Sequence, residues 1–269
     1  MKLSILIPYM NRAALLDATL QRYASTNGKF LSECEFIIVD NSGNHDRDFW
    51  KVCKENAARG LTIRPFSINE GTCNIVIPLN FGVRIARGEY IVNTNPECWP
   101  LTPDILEHTY WRMDAKTYQT CSCYSMTKRA NDELLMDGSE PVLSPRRATF
   151  DGDDGWYVHS QFNPRGLYFH ACTAKMAVMD MNGFDEDYAH AHCYDDDDWR
   201  DRCAAAGLVS RPSDDLVTLH LWHYKASAFT EESVATGRRV YESKRAAGPI
   251  RNQGREWGIP RKGVWTGGE

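Results

Sequence analysis

The first hundred residues alternate short apolar runs with stretches of helical period, and few folds accept that order. Leu3-Ser-Ile-Leu-Ile7 reads as a buried strand stopped by Pro8. A helix capped by Asn11 runs on through Tyr23, with Leu15, Leu16 and Leu20 on its apolar side. Glu35-Phe-Ile-Ile-Val39 is a second strand that ends in Asp40; Asp46 to Ala58 is a second helix and Leu61 to Pro65 a third apolar run. Gly71 to Arg87 has helical period, kinked or delayed by Pro78, and Gly88-Glu-Tyr-Ile-Val92 is a fourth strand. Thr102-Pro103 opens another helix as N-cap and first-turn proline. This alternation implies an α/β fold, a Rossmann-like, mostly parallel central sheet with helices on both faces. Ligands of such sheets sit beyond the carboxyl ends of the strands, which places Pro8 to Arg12, Asp40 to Gly43 and Asn93 to Glu97 on one rim.

The pattern changes between Asn131 and Gly166, a stretch rich in Pro, Gly, Asp and Arg with the run Asp151-Gly-Asp-Asp-Gly155. A long loop in a compact domain is usually functional or disordered. Trp156, Tyr157, His159 and Phe162 favour an ordered binding loop here. Regular elements return with Leu167 to Cys172, a helix from Thr173 to Asp180, an acidic helix starting near Asp195, and an apolar strand from Leu216 to Trp222.

Composition narrows the function. With 42% apolar and 25% charged residues, the 269-residue chain is long enough for one well-buried core. Only Lys2 precedes the first apolar run, no cleavage site follows it, and no apolar stretch reaches the roughly 20 residues of a membrane span. These features predict a soluble, cytoplasmic protein without a transmembrane segment. Nine cysteines with no CxxC pair read as reduced, mostly buried thiols. A net charge of −5 disfavours a bare nucleic-acid binder. From Lys225 onward, however, nine Lys or Arg face five Asp or Glu. That basic helix and tail either touches a phosphate-rich ligand or is a solvated amphipathic helix with a loose end.

Four segments in order then carry a resemblance to a known family. They are Ser4-Ile-Leu-Ile-Pro-Tyr-Met-Asn-Arg12; Phe36-Ile-Ile-Val-Asp-Asn-Ser-Gly43; Asn80-Phe-Gly-Val-Arg-Ile-Ala-Arg-Gly-Glu-Tyr-Ile91; and Gly183-Phe-Asp-Glu-Asp187 with Asp195-Asp-Asp-Asp198, Arg202 and Ala206-Gly207. Together they resemble the family-2-like glycosyltransferases of the GT-A fold. The resemblance implies a nucleotide-sugar-binding half over residues 1–100, an acceptor-binding half over 101–224, and a basic C-terminal helix and tail over 225–269. It implies sugar transfer from a nucleotide-diphosphate sugar, UDP-linked in this reading, to an acceptor hydroxyl with inversion. Donor contacts fall on Pro8, Tyr9, Asn11, Arg12, Asp40 and Asn95. Asp40 at a strand end can accept from a base N–H or a hydroxyl, or simply start an Asx turn with Gly43.

A leaving diphosphate needs positive charge, normally Mn²⁺ or Mg²⁺ held by carboxylates. Where the family has DxD this chain has Asn95-Pro96-Glu97, so one carboxylate, Glu97, is left to bind an ion. His220 and His223 are the other candidate ligands; three apart on a strand they face opposite sides, so one of the two is expected at the ion. Aligning the acidic run on Arg202 makes Asp196 the match for the family's general base, and crowded carboxylates raise one another's pKa toward that task. Asp195, Asp198, Trp156 and His159 are the acceptor-side candidates. The acceptor itself is open among a glycan, a protein, a small molecule and a hydroxymethylated DNA base, as for a phage DNA-modification enzyme. A dehydrogenase lacks its GxGxxG here, and a zinc deaminase or hydrolase lacks HxE with CxxC, or HExxH. The rival reading is a non-catalytic GT-A-like module that binds a nucleotide or glycan with a degenerate DxD.

Overall fold

The computed structural model describes residues 1–43, 46–72, 74–149, 152–225 and 229–266. The N-terminal half runs β1 (Leu3–Tyr9), α1 (Ala13–Thr26), β2 (Cys34–Asp40), α2 (Arg47–Ala58), β3 (Ile63–Ile68), α3 (Val76–Ile85) and β4 (Tyr90–Thr94). There follow β5 (Cys98–Pro100), α4 (Ile105–Trp111), β6 (Thr117–Ser125), α5 (Lys128–Asp137), β7 (Gly155–Val158), β8 (His170–Ala174) and α6 (Lys175–Asp180). The chain ends with α7 (Asp195–Ala205), β9 (Val209–His220), α8 (Glu231–Lys244) and β10 (Val264–Trp265). All the strands join one ten-stranded sheet in the order β10-β3-β2-β1-β4-β8-β6-β9-β5, with β7 on β6. The β1–β2, β2–β3, β1–β4 and β6–β9 pairs are parallel, while β8 joins the two parallel blocks antiparallel to both.

The apolar runs work as their period demands. Leu3, Ile5 and Ile7 of β1 pack on one face with Leu16, Leu20 and Phe49 from α1 and α2. Leu6, Ile37 and Val39 face the other way, onto Val76, Leu79 and Trp199. Alternate side chains of a strand point to opposite faces, so both faces of the sheet are covered by helices.

Several local expectations shift by a few residues. Asn11 does not cap α1: it sits at φ 50°, Arg12 holds the N-cap position, and no side chain caps the helix. α3 begins at Val76, so Pro78 lies in its first turn, where a missing N–H costs no helical bond. Thr102 accepts from the Val217 N–H at 2.9 Å instead of opening α4, which starts after Asp104. The stretch beginning at Asn131 is not irregular throughout, because α5 ends in it and β7 crosses it; Asp151 lies outside the described residues. Thr173 belongs to β8, and β9 is longer than the apolar run that announced it. β6 was not anticipated, because Thr117-Tyr-Gln-Thr-Cys-Ser-Cys-Tyr-Ser125 is mixed in polarity yet buried throughout.

The basic C-terminal segment folds back on the domain. β10 pairs antiparallel with β3, and Trp257 is buried in the core. Much of its positive charge meets acidic partners: Lys244 on Asp185 at 2.6 Å, Arg251 on Asp198 at 2.8 Å, and Arg255 on Asp187 at 2.8 Å. Among the described residues no helix is long and apolar enough to cross a membrane.

Candidate active site

The carboxyl ends of β1 and β4 open onto a cavity of about 560 Å³. Pro8, Tyr9, Arg12 and Asn95 line it from the N-terminal half, and Asp196, His220 and His223 from the other half. Residues more than two hundred positions apart meet here because β9 pairs with β5, and β5 follows directly on the β4 loop.

Glu97 lies at the centre of this meeting and is 5% exposed. Its Oε1 accepts from Arg12 Nη1 at 2.7 Å, and His220 Nε2 and His223 Nε2 each stand 3.8 Å from the same oxygen. Burial alone raises the Glu97 carboxyl, but the charges of Arg12, His220 and His223 outweigh it and bring it down to about 2. The backbone holds the cluster closed: Cys98 of β5 faces His220 of β9, and the Leu221 N–H donates to the Glu97 carbonyl at 2.8 Å. The two histidines do not face opposite sides, as strand alternation would have them: both reach Glu97. β9 ends at His220, the chain turns, and strand alternation no longer governs His223. Ligand atoms of Glu97, His220 and His223 all lie within 4.8 Å of one another. Glu97 Oε2 is buried without a hydrogen-bond partner. Two imidazoles and one carboxylate, one of whose oxygens is orphaned, fit a divalent cation.

The acidic run opens α7 on the opposite wall. Asp195 accepts from the Tyr168 hydroxyl. Asp197 is held by Arg165 at 2.5 Å and Arg200 at 2.7 Å, and Asp198 by Arg251 at 2.8 Å with Arg202 at 3.5 Å. Among the described residues Asp196 has only the Asp197 backbone N–H, at 2.9 Å, and it faces the cavity. Burial, and then the neighbouring charges of Asp195 and Asp197, push its carboxyl up to about 7. The turn into α7 places Cys193 and Tyr194 consecutively at φ 64° and 68°, a costly backbone for residues with a Cβ.

Other sequence candidates fall elsewhere. Asp40 is fully buried, and its oxygens accept from Ser42 N at 2.8 Å and Ser67 Oγ at 3.0 Å; it forms the Asx turn and does not line the cavity. Asn11 lines an adjoining cleft with Trp222 and His223. Trp156 is buried against Tyr124 and His159, with ring centroids 5.0 and 4.6 Å away, so neither Trp156 nor His159 reaches the cavity. Tyr157, next along β7, faces the cavity instead. Asp195 lines a smaller adjoining cavity beside Asp196, while Asp198 is locked between arginines. Arg165, which ends the aromatic stretch expected on the acceptor side, and Lys225, which opens the basic segment, also line the site; sequence reasoning missed Phe169 and His192, which line it too. No local pattern marks them; only the folded chain brings them to it.

A sheet of this order, with an acidic site after β4 and an acidic helix across from it, defines the GT-A class of fold. Residues 4–170 match the family described as glycosyl transferase family 2, and the chain belongs to that family. Among solved structures, residues 1–349 of TarS from S. aureus superpose with a TM-score of 0.56 at 14% identity, over 81% of this chain and 59% of TarS 1–349. The chain thus spans about three fifths of that relative's length. The UDP-GlcNAc complex of TarS 1–349 gives a TM-score of 0.60 at 14% identity, over 85% of this chain and 60% of the other. The mannosyltransferase PcManGT from Pyrobaculum calidifontis, in complex with GDP-Man and Mn²⁺, gives 0.53 at 16% identity over 93% of this chain and 76% of the other. Comparison with curated proteins finds no match.

Proposed function

We propose that this protein transfers a sugar from a nucleotide-diphosphate sugar to an acceptor hydroxyl, with Asp196 as general base and inversion at the anomeric carbon. The observation that carries the reading is one cavity holding both the Glu97–His220–His223 cluster and a carboxyl raised to about 7 at Asp196. A base titrating near neutral pH can take the hydroxyl proton as attack proceeds. Asp195 and Asp197 supply the like charge that keeps Asp196 basic, and Arg165 limits it. Arg12 presents its guanidinium beside Glu97, and Pro8 and Tyr9 wall the donor side.

Glu97, His220 and His223 would hold Mn²⁺ or Mg²⁺, which when bound supplies positive charge for the departing diphosphate. The neighbours support donor and ion, since their complexes contain UDP-GlcNAc in one case and GDP-Man with Mn²⁺ in the other. UDP is the donor nucleotide in this reading. The eight described cysteines are free, seven of them buried, which suits a reducing compartment such as the cytoplasm.

Two observations favour the non-catalytic module: Arg12 already neutralises Glu97, and Asn95 stands where the family has a carboxylate. A thermal-shift series with UDP, GDP, TDP, CMP and their sugars, each with and without Mn²⁺, separates the readings. Stabilisation by one nucleotide that grows with Mn²⁺ is expected. Stabilisation indifferent to metal removes the ion from the reading, and no response to any nucleotide sinks the transferase.

A further inference from the structure

A second cleft lies at the far end of the sheet, lined by Trp111 at the end of α4, Arg112 and Met113 just after it, Gln119 of β6, and Arg211 and Ser213 of β9. It measures about 610 Å³ and shares no lining residue with the active-site cavity. Ser125 pairs with His220 at the other end of the same two strands. Gln119 and Ser125 stand six positions apart on β6, about 20 Å at the usual strand rise.

From this cleft we infer a binding site for a neutral oligosaccharide, distinct from the transfer site. Three observations converge on that chemistry. Trp111 is 68% exposed at the cleft edge, although a large aromatic normally buries most of its surface. Its indole N–H is tied to Glu107 Oε1 at 3.3 Å and its ring edge rests on Tyr110. A held, exposed indole is a platform for the C–H face of a pyranose.

The second observation is charge. Arg112 is bidentate on Asp215, at 2.8 and 2.6 Å, and Arg211 pairs with Asp114 at 3.4 Å. Both arginines that line the cleft are therefore already paired with carboxylates, and the Lys2 ammonium lies 5.5 Å over the Trp111 ring. The same arginine–aspartate pairs offer N–H donors and carboxylate acceptors side by side. Sugar hydroxyls, which both donate and accept, satisfy such pairs without adding charge.

The third is Gln119 at the cleft, 1% exposed. Its amide nitrogen donates to Ser213 Oγ at 3.1 Å, while its Oε1 is buried without a partner. A buried acceptor left open costs free energy that a ligand hydroxyl can recover. A sulfate or fully ionised phosphate oxygen cannot donate there. A purely apolar partner would leave the amide oxygen as it is.

The inference does not depend on transfer activity, so its test is binding alone. The full chain is titrated with maltotetraose, cellotetraose, chitotetraose and mannotetraose, followed by saturation-transfer NMR and calorimetry. A hexuronic tetrasaccharide and inorganic phosphate form the anionic arm. Binding of at least one neutral tetrasaccharide is expected, weakened about tenfold in Trp111→Ala and severalfold in Arg211→Ala. Both side chains are well exposed, so both variants fold, and UDP-induced stabilisation is expected to be unchanged in them. The inference is overturned by any of three results: no neutral tetrasaccharide binds at millimolar concentration, only the anionic probes bind, or Trp111→Ala leaves the affinity intact. Loss of nucleotide binding with sugar binding retained would strike the transferase reading and leave this one standing.

Discussion

Four consecutive aspartates at one helix start have four different fates. Tyr168 takes Asp195, Arg165 and Arg200 take Asp197, and Arg251 and Arg202 take Asp198. Asp196 is left facing the cavity with its carboxyl raised to about 7. The sign of the consequence is definite. A base must be ionised, so kcat/KM is expected to fall about tenfold per pH unit below 7 and level off above it. Asp196→Asn is expected to cut kcat by about 10²–10⁴ with little change in donor binding. The folded state also holds this proton more tightly than the unfolded chain does, so Asp196 costs stability as pH rises from the ordinary carboxylate range through 7. The asparagine variant is therefore expected to melt higher than the parent at pH 8 and to show no such gain at pH 4. Calorimetry at the two pH values checks this, and an unchanged rate in the variant would remove the base from Asp196.

The elements matter most where one holds another's turn. Gly237 of α8 packs so close that a Cβ there would sit 2.5 Å from the His192 carbonyl oxygen and 2.7 Å from that of Cys193. Those residues lead into the left-handed pair Cys193–Tyr194 and so aim Asp196. Glycine-to-alanine inside a helix normally stabilises by about 1 kcal/mol. Here the contact reverses the sign: Gly237→Ala is expected to destabilise by about 1–3 kcal/mol and to lower kcat, because either α8 or the turn must move. A higher melting temperature in Gly237→Ala would show that α8 does not brace the turn. The shift between expected and observed boundaries has the same origin. Periodicity locates an element's interior, but its ends depend on what the last residues meet. His223 reaches Glu97 because β9 stops at His220, and Trp156 turns from the cavity because β7 takes the register that presents Tyr157.

Across the whole molecule, the charge that looked like a free basic tail is largely internal. Arg251 is 5% exposed and bridges Asp185 at 3.2 Å and Asp198 at 2.8 Å, joining the last segment to α7. Removing Arg251 takes one buried cation from both carboxylates, although Lys244 stays on Asp185 and Arg202 on Asp198. Arg251→Ala is accordingly expected to cost about 2–3 kcal/mol in urea unfolding, more than loss of an exposed pair. Arg129→Ala, which breaks an exposed i,i+4 pair with Glu133, serves as the control and is expected to stay within about 0.5 kcal/mol. Equal effects of the two would mean that the tail is not locked by its charges.

Local order was sufficient for much of this protein. The β–α alternation of the first hundred residues led to the sheet, its two covered faces and the rim, because hydrophobic period acts over a few residues and is written in the chain. Glu97, His220, His223 and Asp196 were legible as residue types that suit the chemistry. Tertiary structure decided what they became. The polar but buried β6, the partners that disarm three of four aspartates, and the joining of Glu97 to two histidines over a hundred residues away depend on contacts remote in sequence. Such contacts form only when burial of the whole core fixes strand register, and no window of sequence contains both ends of them.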